Sequence, residues 1–302
     1  MILLGITLLS MILLATTHTS IAMSESSFDA ASFQKPLVVT LDQRDAYSYH
    51  QQAAVLAAPV PETHAYRCET KTLQQVKDNL NSQQGEDVEL MSHFNGICGG
   101  RYIEMGALDG KTFSNSWLFR QEFHWKGVLI ELDNQEYNKL KRNRPRDLLT
   151  TRAAICPMNE TVHYVSGHAA VNGIWEHASL EFREKWWPDI AGPQDLETLQ
   201  CLQLQQLLEE NVAYIKDENG LFYFDFFSLD VEGSEWKTLQ TIHWERTHFG
   251  IILVEAPDSK GMEKNAIVSF LQGQEYRFLG EKNNSLWFLN GNFHEIYKDF
   301  LS

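Results

Sequence analysis

The chain has 302 residues, with 25 Lys+Arg against 40 Asp+Glu, a formal net charge of -15, 43 % hydrophobic and 22 % charged residues. Such a chain buries a sizeable core without staples, and its composition disfavours collagen, coiled coil, low-complexity disorder and a multi-pass membrane protein. The acidic surplus argues against nucleic acid as a partner, because a polyanion is bound through Lys and Arg, and the richest basic stretch, Lys139-Leu-Lys-Arg-Asn-Arg-Pro-Arg146, reads as a solvated helix face and helix end.

Met1 to Met23 carries no Asp, Glu, Lys or Arg. Ile2 to Ala15 has the length of a signal-peptide core, and Ser20-Ile-Ala22 supplies the small residues of a cleavage site after Ala22. Residues 1–22 are therefore expected to be a signal peptide, with a signal anchor as the alternative, although Thr16 to Ser20 is polar for a span. The expected location is the secretory lumen or the exterior, with a membrane-anchored form if the segment is not cleaved. Cys68, Cys98, Cys156 and Cys201 allow three pairings without a metal-finger spacing, and Cys68–Cys98 with Cys156–Cys201 is the favoured one. The sequons Asn159-Glu-Thr161 and Asn283-Asn-Ser285 fit a lumenal protein.

Residues 23–89 read as an arm or linker with one helix, Thr70 to Asn81, and residues 90–302 as one α/β domain. Arg101 to Met105 is a short apolar strand ending in a glycine turn. Gly127 to Glu131 is a second, followed by a helix over Asn134 to Asn143 that stops before Pro145. A third strand is expected over Leu148 to Ile155 and an extra one over Glu160 to Ser166. The Trp-rich stretch Ile174 to Pro188 is less regular, and Leu199 to Asn211 reads as a helix. Tyr223 to Val231 and Gly250 to Glu255 are further strands, with helices over Glu235 to Ile242 and Gly261 to Gln274. Tyr276 to Gly280 and Ser285 to Asn290 close the pattern. Continuous apolar strands alternating with amphipathic helices predict a mostly parallel sheet covered on both faces.

In an open α/β sheet, ligands bind beyond the carboxyl ends of the strands, so the strand-end turns carry the chemistry. Glu104-Met-Gly-Ala-Leu-Asp-Gly110 is a glycine turn in which Leu108 stands where a diphosphate loop wants a small residue. It suits a cofactor with an amino-acid moiety, and a tight structural turn is the bland alternative. Glu131, at the next strand end, can accept from both ribose hydroxyls of an adenosine cofactor, or simply face a helix N-terminus. Asp230 and Glu232 in Ser228-Leu-Asp-Val-Glu-Gly-Ser-Glu235 can take a proton or help hold a divalent metal, while Glu235 is equally a helix cap. Glu255 ends the following strand and can point into the same crevice.

These residues resemble the FkbM-type S-adenosylmethionine-dependent methyltransferase family over roughly Leu90 to Asn292, in particular its members with an N-terminal hydrophobic segment. The matching phrases are Glu104 to Gly110 with Ser114, Leu129-Ile-Glu131, Arg152-Ala-Ala-Ile155 and, most specifically, Leu229-Asp-Val-Glu-Gly-Ser-Glu235 with Leu239. The resemblance implies a Rossmann-like class I methyltransferase fold with an antiparallel closing hairpin. It also implies S-adenosylmethionine as cofactor, with Glu104, Gly106, Asp109 and Gly110 cradling the methionine moiety. Glu131 would hold the ribose, Ala153 or Ala154 would lie near the adenine, and Asp230 with Glu232 would face the reacting centre. A divalent metal is compatible with this acidic strand end but not implied. The expected activity is O-methylation of a hydroxyl on a sugar or small metabolite, with Asp230 or Glu232 as base and His168, His177 and His243 as alternatives. The stretch from His168 to Trp187, with Trp175, Trp186 and Trp187, would cover the crevice. Two rivals remain: a non-catalytic lumenal module involved in trafficking, and an NAD oxidoreductase, which the missing GxGxxG disfavours.

Overall fold

The computed structural model describes residues 61–167, 171–255 and 262–300. The signal segment, most of the arm and His168 lie outside the described residues. No helix among the described residues is long and apolar enough to cross a membrane.

The main sheet has seven strands among the described residues: β1 Arg101–Met105, β2 Lys126–Ile130, β3 Leu149–Thr151, β4 Phe222–Leu229, β5 Thr247–Glu255, β6 Tyr276–Lys282 and β7 Ser285–Asn290. Their order is β3-β2-β1-β4-β5-β7-β6. The first five are parallel, whereas β7 runs antiparallel to both β5 and β6. This is the α/β arrangement that the resemblance implies. Every residue of β4 is buried, as expected of a central strand covered on both faces.

Side chains of successive strand residues point to opposite faces, which splits the core in two. Ile103, Met105, Val128 and Ile130 face one cluster, closed by helices α5 (Leu204–Asn211), α6 (Glu235–Leu239) and α7 (Met262–Gly273). Tyr102 and Leu129 face the other, closed by α1 (Glu86–Phe94), α2 (Trp117–Phe123) and α3 (Asn134–Asn143). Asp133 caps α3, accepting from the backbone N–H groups of Gln135 and Glu136 at 2.8 and 2.9 Å.

Local expectation and structure part in several places. The helix expected over Thr70 to Asn81 is only Leu73–Val76, opened by a Thr72–Gln75 capping box, followed by a 3₁₀ turn over Lys77–Asn79. Helix α1 spans the expected boundary at 89 and 90, and Glu86, Asp87, Leu90 and Phe94 on it are buried. The strand expected over Leu148 to Ile155 is split: β3 ends at Thr151, and Ala154–Ile155 pairs in a second sheet. Between them Arg152 donates to the Leu132 carbonyl at 2.7 Å and forks onto the Glu197 carboxylate.

That second sheet joins Ala154–Ile155, Glu197–Leu202, Thr161–Val165 and Gly173–Ile174. Leu199 to Leu202 is therefore strand and not helix, because it is clamped on both sides, with Cys201 opposite Ala154 and Gln200 opposite Thr161. Cys156–Cys201 joins the same segments covalently, and Cys68–Cys98 ties the chain before α1 to the strand end at Ile97–Cys98. Both are the favoured pairing. Asn159 and Asn283 of the two sequons are exposed, the latter in a two-residue hairpin turn with Asn284, both left-handed.

Candidate active site at the carboxyl edge of the sheet

The strand register builds the site. Met105 on β1 pairs with Ile130 on β2 and Leu229 on β4, and Leu229 pairs with Val254 on β5. The next residue of each strand, Glu131, Gly106, Asp230 and Glu255, therefore stands in one row along the carboxyl edge, with strands about 4.8 Å apart. The order reverses between β1 and β4, the place where α/β sheets open a crevice. A cavity of about 340 Å³ lies there, and all four residues line it.

At the β1–β2 end the walls are a glycine turn, a buried carboxylate and an apolar strip. Gly106 has φ +76°, and a Cβ there would stand 1.8 Å from the Asp230 carbonyl oxygen, so only glycine lets the turn press against β4. Leu108, also left-handed, donates its N–H to Glu131 Oε2 at 2.7 Å, and Asp133 donates to Oε1 at 2.6 Å. Each carboxylate oxygen retains a second acceptor direction for a ligand. Burial pushes the Glu131 pKa up to about 7, against the pull of those backbone hydrogen bonds. Leu132, Ala153, Ala154 and Ile155 give this end an apolar wall. Tyr164 lines the same end, and its hydroxyl donates to Asp133 Oδ2 at 3.1 Å.

Glu104, Asp109 and Gly110 are not brought to this cavity. Glu104 lies two residues inside β1, so its carboxylate sits under the turn. It accepts there from Ser114 Oγ, the Asn115 N–H and Ser116 Oγ. Asp109 folds back on its own loop, accepting from the N–H groups of Lys111 and Thr112. A Cβ on Gly110 would meet Leu140 at 2.5 Å and Arg144 at 2.8 Å, so this glycine serves helix packing.

Arg144 is the residue that sequence reasoning missed. Within the basic stretch, Lys139, Lys141, Arg142 and Arg146 are exposed as expected, whereas Arg144 is fully buried. Its guanidinium donates to the Gly110 carbonyl, Tyr102 Oη, Ser114 Oγ and Ser116 Oγ, and lies 3.9 Å from Glu104 and 3.8 Å from Asp147. It props up the whole glycine turn from below. The one sequence signal is position: it follows the last turn of α3 directly before Pro145.

At the β4–β5 end, Asp230, Glu232 and Glu255 each bring a carboxylate oxygen within 4.8 Å of the others. Burial, a hydrogen bond to Glu255 and the charges of Glu255, Glu86 and Glu131 hold the Asp230 carboxyl well above the usual range. Burial raises the Glu255 carboxyl as well, so neither member of this pair ionises as readily as an exposed carboxylate. These three oxygens are also the group that could hold a divalent ion. The second such cluster, Cys156 with Glu160 and His177, has its sulfur in a disulfide. Glu235 is a cap, accepting from the N–H groups of Val231 and Gly233 at 2.9 and 3.0 Å. Asn115 donates to Ser228 Oγ at 2.9 Å on the cavity wall, and its buried Oδ1 has no hydrogen-bond partner.

The second sheet and helix α4 (Leu180–Trp186) line the crevice from one side. Trp186 lines the cavity, whereas Trp187 is buried with its Nε1–H on the Val171 carbonyl, and Trp175 stacks on Trp187. His177 and His243 do not line the cavity. His177 hydrogen-bonds Ser234 Oγ at 2.7 Å through Nδ1, and burial lowers its pKa to about 4.

Residues 104–278, more than half of the chain, match the methyltransferase FkbM domain. Solved structures similar to part of the chain include a TehB-like SAM-dependent methyltransferase from Corynebacterium glutamicum, at 11 % identity over 72 % of this chain and 93 % of that one, with TM-score 0.35. A methyltransferase from Pyrococcus furiosus is 15 % identical over 82 % and 98 %, with TM-score 0.31. A SAM-dependent methyltransferase from Thiobacillus denitrificans, in complex with S-adenosyl-L-homocysteine, is 9 % identical over 70 % and 73 %, with TM-score 0.30. A comparison with the curated proteins gives no match. The strand-end phrases, the sheet order and the family match agree, and the chain belongs to the methyltransferase FkbM domain family.

Proposed function

We propose that the protein is an S-adenosylmethionine-dependent O-methyltransferase acting on a hydroxyl of a sugar or small metabolite. One observation carries the reading: a single cavity joins Gly106, Glu131, Ala153 and Ala154 at one end to Asp230, Glu232 and Glu255 at the other. The donor set fits such a cofactor. Glu131 offers two oxygens to a pair of ribose hydroxyls, the walls around Ala153 admit a flat base, and the glycine at 106 leaves room for close backbone approach. When bound, S-adenosylmethionine supplies a methyl group on a positively charged sulfur.

The chain's own contribution is orientation and proton transfer. A positive charge beside the three carboxyls favours their ionised forms, against the burial that raises Asp230 and Glu255. An ionised Asp230 can then accept the proton of an acceptor hydroxyl held against it. Helix α4 places Trp186 on the wall of the crevice. Methyl transfer from labelled S-adenosylmethionine to a panel of glycosides tests the reading, with Asp230→Asn expected to lower turnover by about 10²–10⁴-fold. Full turnover in that variant would remove Asp230 as the base.

We further infer a place in the secretory lumen or outside the cell. The support is that all four cysteines are paired and both sequons are exposed at Asn159 and Asn283. Expression through a secretory host, followed by N-terminal sequencing and glycosidase treatment, is expected to give a chain starting after Ala22 and carrying N-glycans. An intact N-terminus without glycans would contradict this.

A further inference from the structure

We propose that Phe113 is the acceptor platform of the cavity, a strained aromatic residue on which a pyranose ring lays its apolar face, with Trp186 as a lesser second ring. The inference rests on the methyltransferase reading of the same cavity and narrows its acceptor to a ring sugar.

Phe113 combines three properties that core packing does not explain. It lines the cavity, it is 46 % exposed, and its backbone is left-handed at φ +60°. A bulky side chain crowds the backbone in that region, where Gly or Asn would sit at ease. Both flanks hold it there. On one side Phe113 forms a strand bridge with Ser82, whose hydroxyl donates to Asp87 Oδ1 at 2.6 Å. On the other, the Ser114 hydroxyl, the Asn115 N–H and the Ser116 hydroxyl all donate to the buried Glu104 carboxylate. Strain of this kind persists where the surroundings over-determine it, and it gathers at ligand sites.

The loop also brings this ring to the end of the cavity where an acceptor hydroxyl would react. Asn115, two residues after Phe113, donates to Ser228 Oγ, two residues before Asp230. Ser285, which pairs with Glu255, lines the same cavity. A pyranose matches this pairing of surfaces: its hydroxyls find carboxyl and hydroxyl partners, while the C–H bonds of one face turn their positive ends to the negative face of an aromatic ring. An open-chain polyol has the hydroxyls without the face. Trp186 lines the cavity from helix α4 at 38 % exposure, with the Lys185 ammonium 4.6 Å from its ring centroid. That ring thus offers a sugar one face at most, and Phe113 is the principal platform.

The test is saturation-transfer NMR on the full chain, with methyl β-glucopyranoside and the open-chain polyol sorbitol as probes at about 10 mM, each with and without S-adenosylhomocysteine. The glucoside is expected to take up saturation on the ring hydrogens of one face, about fivefold or more above sorbitol. Phe113→Ala and Phe113→Asn are both expected to cut that signal about tenfold, whereas Phe113→Trp keeps a ring in place and retains it. Trp186→Ala is expected to cost less than either. Phe113→Asn is also expected to unfold about 2–4 °C above Phe113→Ala, because Asn tolerates the left-handed backbone that Ala does not. No saturation of the glucoside, sorbitol saturated as strongly, an unchanged signal in Phe113→Ala, or Phe113→Asn unfolding no higher than Phe113→Ala would each overturn the strained platform. Failure of S-adenosylhomocysteine to bind, with the ring signal intact, would count against the cofactor reading alone. A bound cofactor without the ring signal would count against the platform alone.

Discussion

Glu104 and Glu131 leave adjacent strands of one sheet, yet the regions around them handle charge in opposite ways. Under the glycine turn, Glu104 accepts from three donors, and Arg144 stands between it and Asp147, which Arg120 also meets at 3.1 Å. Along the cavity, Glu131 accepts from two backbone N–H groups, burial raises the Asp230 and Glu255 carboxyls, and no cationic side chain stands among the described lining residues. Charge answered within the fold builds the turn. Carboxyls gathered at strand ends mark the cavity.

The sharpest way to break this contrast is to remove the cation on the compensated side. Arg144→Met leaves Glu104 and Asp147 buried beside an uncharged stem and is expected to cost about 3–5 kcal/mol in urea unfolding. Arg144→Lys is not expected to restore it, because a single ammonium cannot reproduce the forked contacts to Ser114, Ser116 and Tyr102. A loss below about 1 kcal/mol would mean that the turn does not depend on this arginine.

Gly106→Ala tests the junction of the two regions. The added carbon meets the Asp230 carbonyl, and the expected loss is on the order of 3 kcal/mol together with loss of cofactor binding. Glu131→Gln tests the uncompensated side. It is expected to weaken S-adenosylhomocysteine by about 10–100-fold, the worth of a charged hydrogen-bonding group, without a comparable loss of fold. In the wild type, affinity is expected to rise with pH through about 7 as Glu131 ionises, and the variant loses this step. The sign for stability is the reverse. The native state holds this proton more tightly than the unfolded chain, so the contribution of Glu131 is present below 4.5 and lost as pH rises through about 7. Unfolding curves across that range are therefore expected to shift in favour of Glu131→Gln as pH increases.

The smallest effect is expected at Asp109. Asp109→Ala removes a loop cap and is expected to cost about 1 kcal/mol, with cofactor affinity changed less than about twofold. A tenfold loss of affinity would mean that this loop turns toward the ligand when one is bound.

Much of the scaffold is legible in the sequence because local pattern and tertiary role agree. The helix over Asn134 to Asn143 is found with its expected ends, since an Asp cap and a following proline bound it. The closing strand Ser285 to Asn290 is likewise found as read. Leu199 to Leu202 has helical spacing but is held as strand by pairing on both edges, which local pattern cannot report. Within the site, Glu131, Asp230 and Glu255 are legible because they stand at or directly after the carboxyl ends of their strands. Glu104 is two residues too early: it points to the same face as the strand-end row but about 7 Å back along the strand, beneath the turn instead of over it. Arg144 escapes for a related reason: a charge run on a helix end reads as solvated, and only the packing of the glycine turn above it shows that one member points inward.

The central claim is that this cavity binds an S-adenosyl cofactor through Glu131. Calorimetry of the full chain with S-adenosylhomocysteine addresses it most directly, comparing wild type, Glu131→Gln and Asp109→Ala. The account predicts one site per chain, weakened strongly by the first substitution and hardly by the second. No heat from the wild type at millimolar cofactor, or equal loss in the two variants, would contradict it.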